Sequence, residues 1–193
     1  VLFRSELNKQ GMIQGSSVDP DLSEEGRAYA EKAAKNFDPS QFDAVYASPL
    51  KRAQETARIF VGNKTPIKTD KRIEELNYGA WDGKSSFEYR KKYPDAFNKK
   101  GLITDNIYKY ASDVEKREDF RRRIASFFDD LYQKHENDTV LVVCHGVVSR
   151  MICAHFLTNG DIKCFDQMQN CGLAELDINQ EFGTLVYYNR VLA

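Results

Sequence analysis

At 193 residues the chain suits one domain spanning 1–193, able to bury roughly 70% of its unfolded surface without disulfide or metal staples. Lys and Arg number 28 against 29 Asp and Glu, and a net charge of -1 leaves no global field to draw in nucleic acid or an anionic membrane, so basic residues must act locally. The four cysteines, Cys144, Cys153, Cys164 and Cys171, form no Cys-x-x-Cys pair and the histidines are scattered, which excludes a zinc pattern, while the lack of an apolar run near ~18 residues excludes a spanning helix.

In chain order, Val1 to Phe3 reads as the end of a strand closing on Arg4. Gly11, Gly15, Ser16-Ser17 and Pro20 mark a long polar loop, after which Ser23 caps a helix with Glu24 and Glu25 in its first turn, running to about Asn36. Asp38-Pro39-Ser40 breaks it. Phe42 to Ala47 is a second strand, and it feeds Ser48-Pro49, with Ser48 as cap and Pro49 at the first position of a helix to Phe60. Thr65 to Thr69 makes a short third strand. From about 72 to 112 periodicity loosens, and Trp81 between Gly79 and Gly83, with a crowd of Tyr and Lys up to Tyr110, reads as an insertion or lid.

Phe120, Ile124, Phe127, Phe128 and Leu131 then give helical spacing across Asp113 to Lys134. Val140 to Cys144 is too short and β-branched for a helix and predicts a strand buried on both faces. At His145-Gly146 it turns into a helix over Val147 to Phe156, whose N-terminal backbone N–H groups suit an anion. Leu173 to Ile178 and Thr184 to Val191 form a terminal hairpin. Strands alternating with helices predict a three-layer α/β/α sandwich with a mostly parallel central sheet.

In such a sheet four features converge at the carboxyl ends of the strands: Arg4, Arg52, Glu75 and His145. Two guanidiniums and an imidazole beside a helix N-terminus make a pocket for a dianion, because arginine forks match phosphate oxygens, and a carboxylate at the rim suits a general acid. A competing pattern is Cys144 to Arg150, which satisfies the Cys-x5-Arg loop of cysteine-dependent phosphatases. Val147-Val148 obstruct its curl, and Cys144 should point away from the face that His145 addresses, so the thiol reading is set aside.

The motifs together resemble the histidine phosphatase superfamily, in its phosphoglycerate mutase-like branch. The run from Ser48 to Ala57 is similar to the family's second-arginine segment, which gives Arg52 that role. The run from Ile73 to Gly83 resembles the acid segment, whose Glu stands three residues before an aromatic-Gly pair; that pair is Tyr78-Gly79, so the resemblance makes Glu75 the acid and not Glu74. Cys144-His145-Gly146 matches the second histidine motif, and Pro20 to Gly26 the opening of the first helix. One departure stands out. The family begins Arg-His-Gly, an acidic or amide residue, Ser or Thr, two residues and Asn, whereas this chain reads Arg4-Ser5-Glu6-Leu7-Asn8. The rest fits if three residues, including the nucleophilic histidine, are missing between Arg4 and Ser5. A gap in the sequence as read is favoured over a true deletion, because everything downstream that serves the nucleophile is present. A milder departure is Val114-Glu115-Lys116, which keeps only the Glu of the family's Gly-Glu-Ser.

The resemblance implies a metal-independent phosphomonoester hydrolase working through a phosphohistidine. Arg4, Ser5, Asn8, Arg52, His145 and Gly146 would hold the phosphate, with no metal and no cofactor. The partner would be a small phosphorylated metabolite, with no nucleic acid and no membrane, the protein being a cytoplasmic monomer or homodimer. The alternatives are a mutase-type phosphoryl transfer or a non-catalytic phospholigand binder. The short chain favours hydrolysis over transfer.

Overall fold

The computed structural model describes residues 5, 7, 10–179 and 183–192. The strand expected at Val1 to Phe3 lies outside them, as do Arg4 and Asn8. β1 (Ala44–Ala47), β2 (Lys68–Thr69) and β3 (Val140–Val143) form a parallel sheet in the order β2-β1-β3. Register runs from Ala44 opposite Val140 to Ala47 opposite Val143, so the two long strands end level.

Side chains alternate across this sheet, and each face meets its own helices. Val45, Ala47, Leu141 and Val143 pack with Ala30 and Ala33 of α1 (Glu24–Ala34) and with Ala53, Ala57 and Phe60 of α2 (Lys51–Val61). Ala44, Tyr46, Val140 and Val142 pack instead with Phe120, Ile124 and Phe127 of α4 (Arg117–Lys134) and with Val148 and Met151 of α5 (Gly146–Leu157). The three layers follow from that alternation. Small alanines on α1 and α2 let those helices approach closely, whereas phenylalanines fill the opposite face. β4 (Leu173–Ile178) and β5 (Gly183–Arg190) form a separate antiparallel hairpin.

Ser23 caps α1 as expected, accepting from the Gly26 N–H at 3.0 Å. The cap expected at Ser48 is a correction. α2 begins at Lys51, with Leu50 at its N-cap and no capping side chain; buried Ser48 lies two residues before that cap, its hydroxyl accepting from the Leu50 N–H at 3.3 Å and engaging His145. α4 likewise starts at Arg117 and not at Asp113. Residues 113–116 are held off helix by tertiary ties, among them the Glu115 N–H donating to the Asn77 carbonyl at 2.9 Å.

The segment 72–112 carries one short helix, α3 (Ser86–Lys92), and several 3-10 turns around Trp81. The indole is 2% exposed, stacked on Tyr93 and Phe97 at 5.2 and 5.9 Å with Tyr89 edge-on at 4.8 Å. Ile73, Leu76, Tyr78 and Ile107 join it in the same core as α4 and α5. Gly79 is required here: its φ is +58°, and a Cβ would stand 2.4 Å from the Asp113 carboxyl.

Candidate active site

A cavity of about 300 Å³ opens beyond the carboxyl ends of β1 and β3, where open α/β sheets leave a crevice. Arg52, Glu75, His145 and Gly146 all line it. α2 carries Arg52 in its first turn, 3% exposed, and its Nη1 and Nη2 donate to the Val18 and Gly15 carbonyls at 3.1 and 3.2 Å. The same loop is held from its other side by Asp82, which accepts from the Gly15 and Ser17 N–H groups at 2.6 and 3.1 Å. Gly15 permits this approach, since a Cβ there would meet the Leu76 carbonyl oxygen at 2.3 Å.

β3 delivers His145 to the cavity as the N-cap of α5. The imidazole is 2% exposed, with Nε2 paired to Ser48 Oγ at 2.7 Å. Burial, reinforced by the Arg52 charge, holds its pKa well below 6.5, so the ring is neutral at neutral pH. Cys144, one residue earlier, turns the other way into the core beside α4 and α5, and burial pushes its thiol pKa up. Arg150 donates from Nε to the Phe165 carbonyl and from Nη2 to the Ile162 carbonyl, each at 2.9 Å. The thiol thus lies in the core and two of the guanidinium nitrogens are held by main-chain carbonyls, so the cysteine-loop pattern has no geometric counterpart.

Glu75 is 6% exposed. Its carboxylate accepts from its neighbour Leu76 N–H at 2.9 Å and from Val147 N–H at 3.2 Å. An N-terminal N–H of α5, expected to face an anionic ligand, is therefore taken by this side chain. Burial raises the Glu75 pKa against the pull of those two N–H groups, Arg52 and Arg123, so the carboxyl can hold a proton closer to neutral pH than a solvated one. Arg123 fixes the segment: it donates to the Glu74 and Glu75 carbonyls at 2.8 and 3.1 Å while paired with Glu115 at 2.6 Å. Glu74 does not line the cavity. Fully buried Ser5 donates from Oγ to Gln14 Oε1 at 2.7 Å, and Gln14 reaches the cavity wall.

Several residues of the site escape a reading of the sequence: Gln14, Arg117 and Gln167 line the cavity and Ser48 holds His145, with Arg150 visible only as the end of a misleading motif. Ser48 carries the signature of a cap, and nothing local could disclose a partner 97 residues away. Arg117 lies in the stretch where the family pattern breaks down.

Comparison with known proteins shows which family the chain belongs to. The family model described as Histidine phosphatase superfamily (branch 1) matches residues 4–191. Phosphoserine phosphatase 1 of Hydrogenobacter thermophilus is 34% identical over 152 residues, covering 78% of this chain and 71% of that protein. The Adenosylcobalamin/alpha-ribazole phosphatase of Escherichia coli is 25% identical over 187 residues, covering 96% and 91%. In fold, the crystal structure of phosphoglycerate mutase from Bacillus anthracis superposes with a TM-score of 0.76 at 21% identity, covering 95% of this chain and 88% of that one. A match running from residue 4 to residue 191, over a sheet that brings Arg52, Glu75 and His145 to one cavity, makes the chain a member of the histidine phosphatase superfamily and, among its hydrolases, a phosphatase.

Proposed function

We propose that the protein hydrolyses the monoester of a small phosphorylated metabolite, without a metal, through a phosphohistidine. The observation that carries this reading is Glu75: a buried carboxyl with a raised pKa on the same cavity as the Arg52 guanidinium and a neutral His145. In the first step the nucleophilic histidine forms a bond to phosphorus, the ester P–O bond breaks, and the leaving alkoxide takes the Glu75 proton. In the second, water attacks phosphorus and gives a proton to Glu75, the P–N bond breaks, and inorganic phosphate and the free histidine are released. Arg52, His145 and Gly146, with Arg4, Ser5 and Asn8 as the family motif has them, hold the equatorial oxygens and replace the charge stabilisation a metal would give. Among the described residues no three His, Cys, Asp or Glu side chains converge on a possible metal position.

The chain's histidines leave the nucleophile to the Arg4-Ser5 junction. His135 is held between the Tyr46 hydroxyl and Asp138 at 3.0 and 2.8 Å, and His155 sits beside Phe156 in the last turns of α5. The test is the gene itself. It should encode three further residues there, a histidine first, and the protein made from it should turn over generic monoesters in excess chelator and trap an acid-labile phosphoenzyme. A gene that runs directly from Arg4 to Ser5 would favour the second reading, a phospholigand binder without turnover. Activity that needs added magnesium or zinc would defeat the metal-free mechanism.

A further inference from the structure

The central sheet builds the contact between Ser48 and His145. β1 and β3 end level, and the Ser48 N–H donates to the Val143 carbonyl at 2.9 Å, so each strand delivers a polar residue to the same point. There the Ser48 hydroxyl meets His145 Nε2 at 2.7 Å. Ser48 is fully buried, and its hydroxyl has no bulk water to turn to.

A hydroxyl and a ring nitrogen can bond in two senses, and the two place the imidazole proton differently. If Nε2–H donates, Ser48 Oγ accepts twice, because the Leu50 N–H already donates to it at 3.3 Å. The hydroxyl proton would then need an acceptor of its own, and among the described residues Nε2 is the one acceptor paired with that hydroxyl. A buried O–H stranded in this way loses its hydration and gains nothing in exchange. If Ser48 donates instead, the pair is complete: Leu50 N–H to Oγ, and Oγ–H to Nε2. Pro49 between them has no N–H to compete for the hydroxyl.

The second sense leaves Nε2 bare. Burial and the Arg52 charge both oppose a second proton on the ring, so the single imidazole proton lies on Nδ1. That placement matters because the oxygens of a phosphate dianion only accept, and an imidazole that meets them must come as a donor. With Nε2 turned to Ser48, Nδ1–H is that donor.

We propose that Ser48 is a positioning residue of the phosphoryl site: it donates its hydroxyl proton to His145 Nε2, fixes the imidazole as the Nδ1–H tautomer, and so presents a hydrogen-bond donor to the phosphate oxygens. The inference rests on reading the Arg52 and His145 end of the cavity as that site.

Long-range proton–nitrogen correlation spectra of the isotope-labelled protein at neutral pH read the tautomer of each histidine, and His145→Asn identifies the pattern of residue 145. The wild type should show Nδ1 protonated and Nε2 bare. Ser48→Ala removes the donor, so the ring should be released from that single tautomer and show Nε2–H as well. Inorganic phosphate should then bind about three- to tenfold more weakly by calorimetry, the worth of one neutral hydrogen bond. Thr56→Val is the control: it removes another fully buried hydroxyl, one that donates to the Arg52 carbonyl at 2.9 Å, and should leave the His145 tautomer unchanged. Nε2–H in the wild type refutes the proposal, as does a Ser48→Ala spectrum that keeps Nδ1–H alone or a Thr56→Val spectrum that loses it. Unchanged phosphate affinity in Ser48→Ala refutes the donor role. A wild type that shows the Nδ1–H pattern but binds no phosphate overturns the phosphoryl reading and keeps the tautomer assignment, so the two failures are distinct. Should Ser48→Ala not fold, the wild-type pattern decides alone.

Discussion

Glu75 and His145 share one cavity and one physical cause, burial, which moves their pKa values in opposite directions because each is pushed toward its neutral form. A neutral carboxyl can give a proton to a leaving group. A neutral imidazole hydrogen-bonded to Ser48 can contact phosphate oxygens without competing for that proton. If Glu75 is the proton donor, Glu75→Gln should slow single-turnover phosphorylation by poor leaving groups by ~10²–10⁴-fold, and by an activated aryl phosphate far less. Glu74→Gln is the control, because Glu74 lies beside the acid in sequence but off the cavity. Equal losses for both leaving groups, or a larger effect at Glu74, would move the acid to another residue.

Among elements, the segment around Trp81 couples the core to the cavity. Its aromatic stack belongs to the same packed cluster as α4 and α5, yet Tyr78, Ser86, Gly101 and Ile103 from the same segment line the cavity. Truncating the indole opens a void between Tyr89, Tyr93 and Phe97 that the rings cannot close without leaving the core. Trp81→Ala should therefore lower unfolding stability by about 3–5 kcal/mol, read by denaturant titration. It should also weaken inorganic phosphate binding only modestly, because Arg52 and His145 sit on α2 and α5 and not on this segment. A phosphate affinity that collapses along with stability would show that the lid, and not the sheet ends, holds the anion.

For the molecule as a whole, the same burial couples stability to pH. His145 has a folded pKa well below its unfolded value near 6.5, so below that pH the unfolded state binds the extra proton and folding stability falls. Glu75 and Asp82 work in the opposite sense: burial raises their folded pKa, so their contribution is full at acid pH and is lost as pH rises through those values. Because the two kinds of group oppose each other, the informative quantity is a difference. Relative to His145→Asn, the wild type should lose up to about 1.4 kcal/mol per pH unit on acidification below about 6.5. Parallel stability curves from pH 7 to 5 would mean that His145 is protonated in the folded protein.

Much of this was determined by local sequence. Continuous apolar runs placed β1 and β3, capping signals placed α1 and helical spacing placed α4 and α5 to within a few residues, because burying apolar surface and satisfying helix ends are the dominant local constraints on where an element forms. Chemically distinctive residues at strand ends, Arg52, Glu75 and His145, stood out for the same reason: the carboxyl ends of a parallel sheet are where its loops meet. What only the tertiary structure decided depends on partners far apart in the chain. Ser48 reads as a helix cap until β1 and β3 lie side by side and bring His145 to its hydroxyl. Cys144 and Arg150 spell a phosphatase loop until packing turns the thiol into the core and spends two guanidinium nitrogens on the carbonyls of residues 162 and 165. Arg117 is one charge among many on a polar helix until the fold sets it in the wall of the cavity that Arg52 and His145 also line. A hydrogen bond has no periodicity to reveal it, so such pairings appear only once the backbone has been folded.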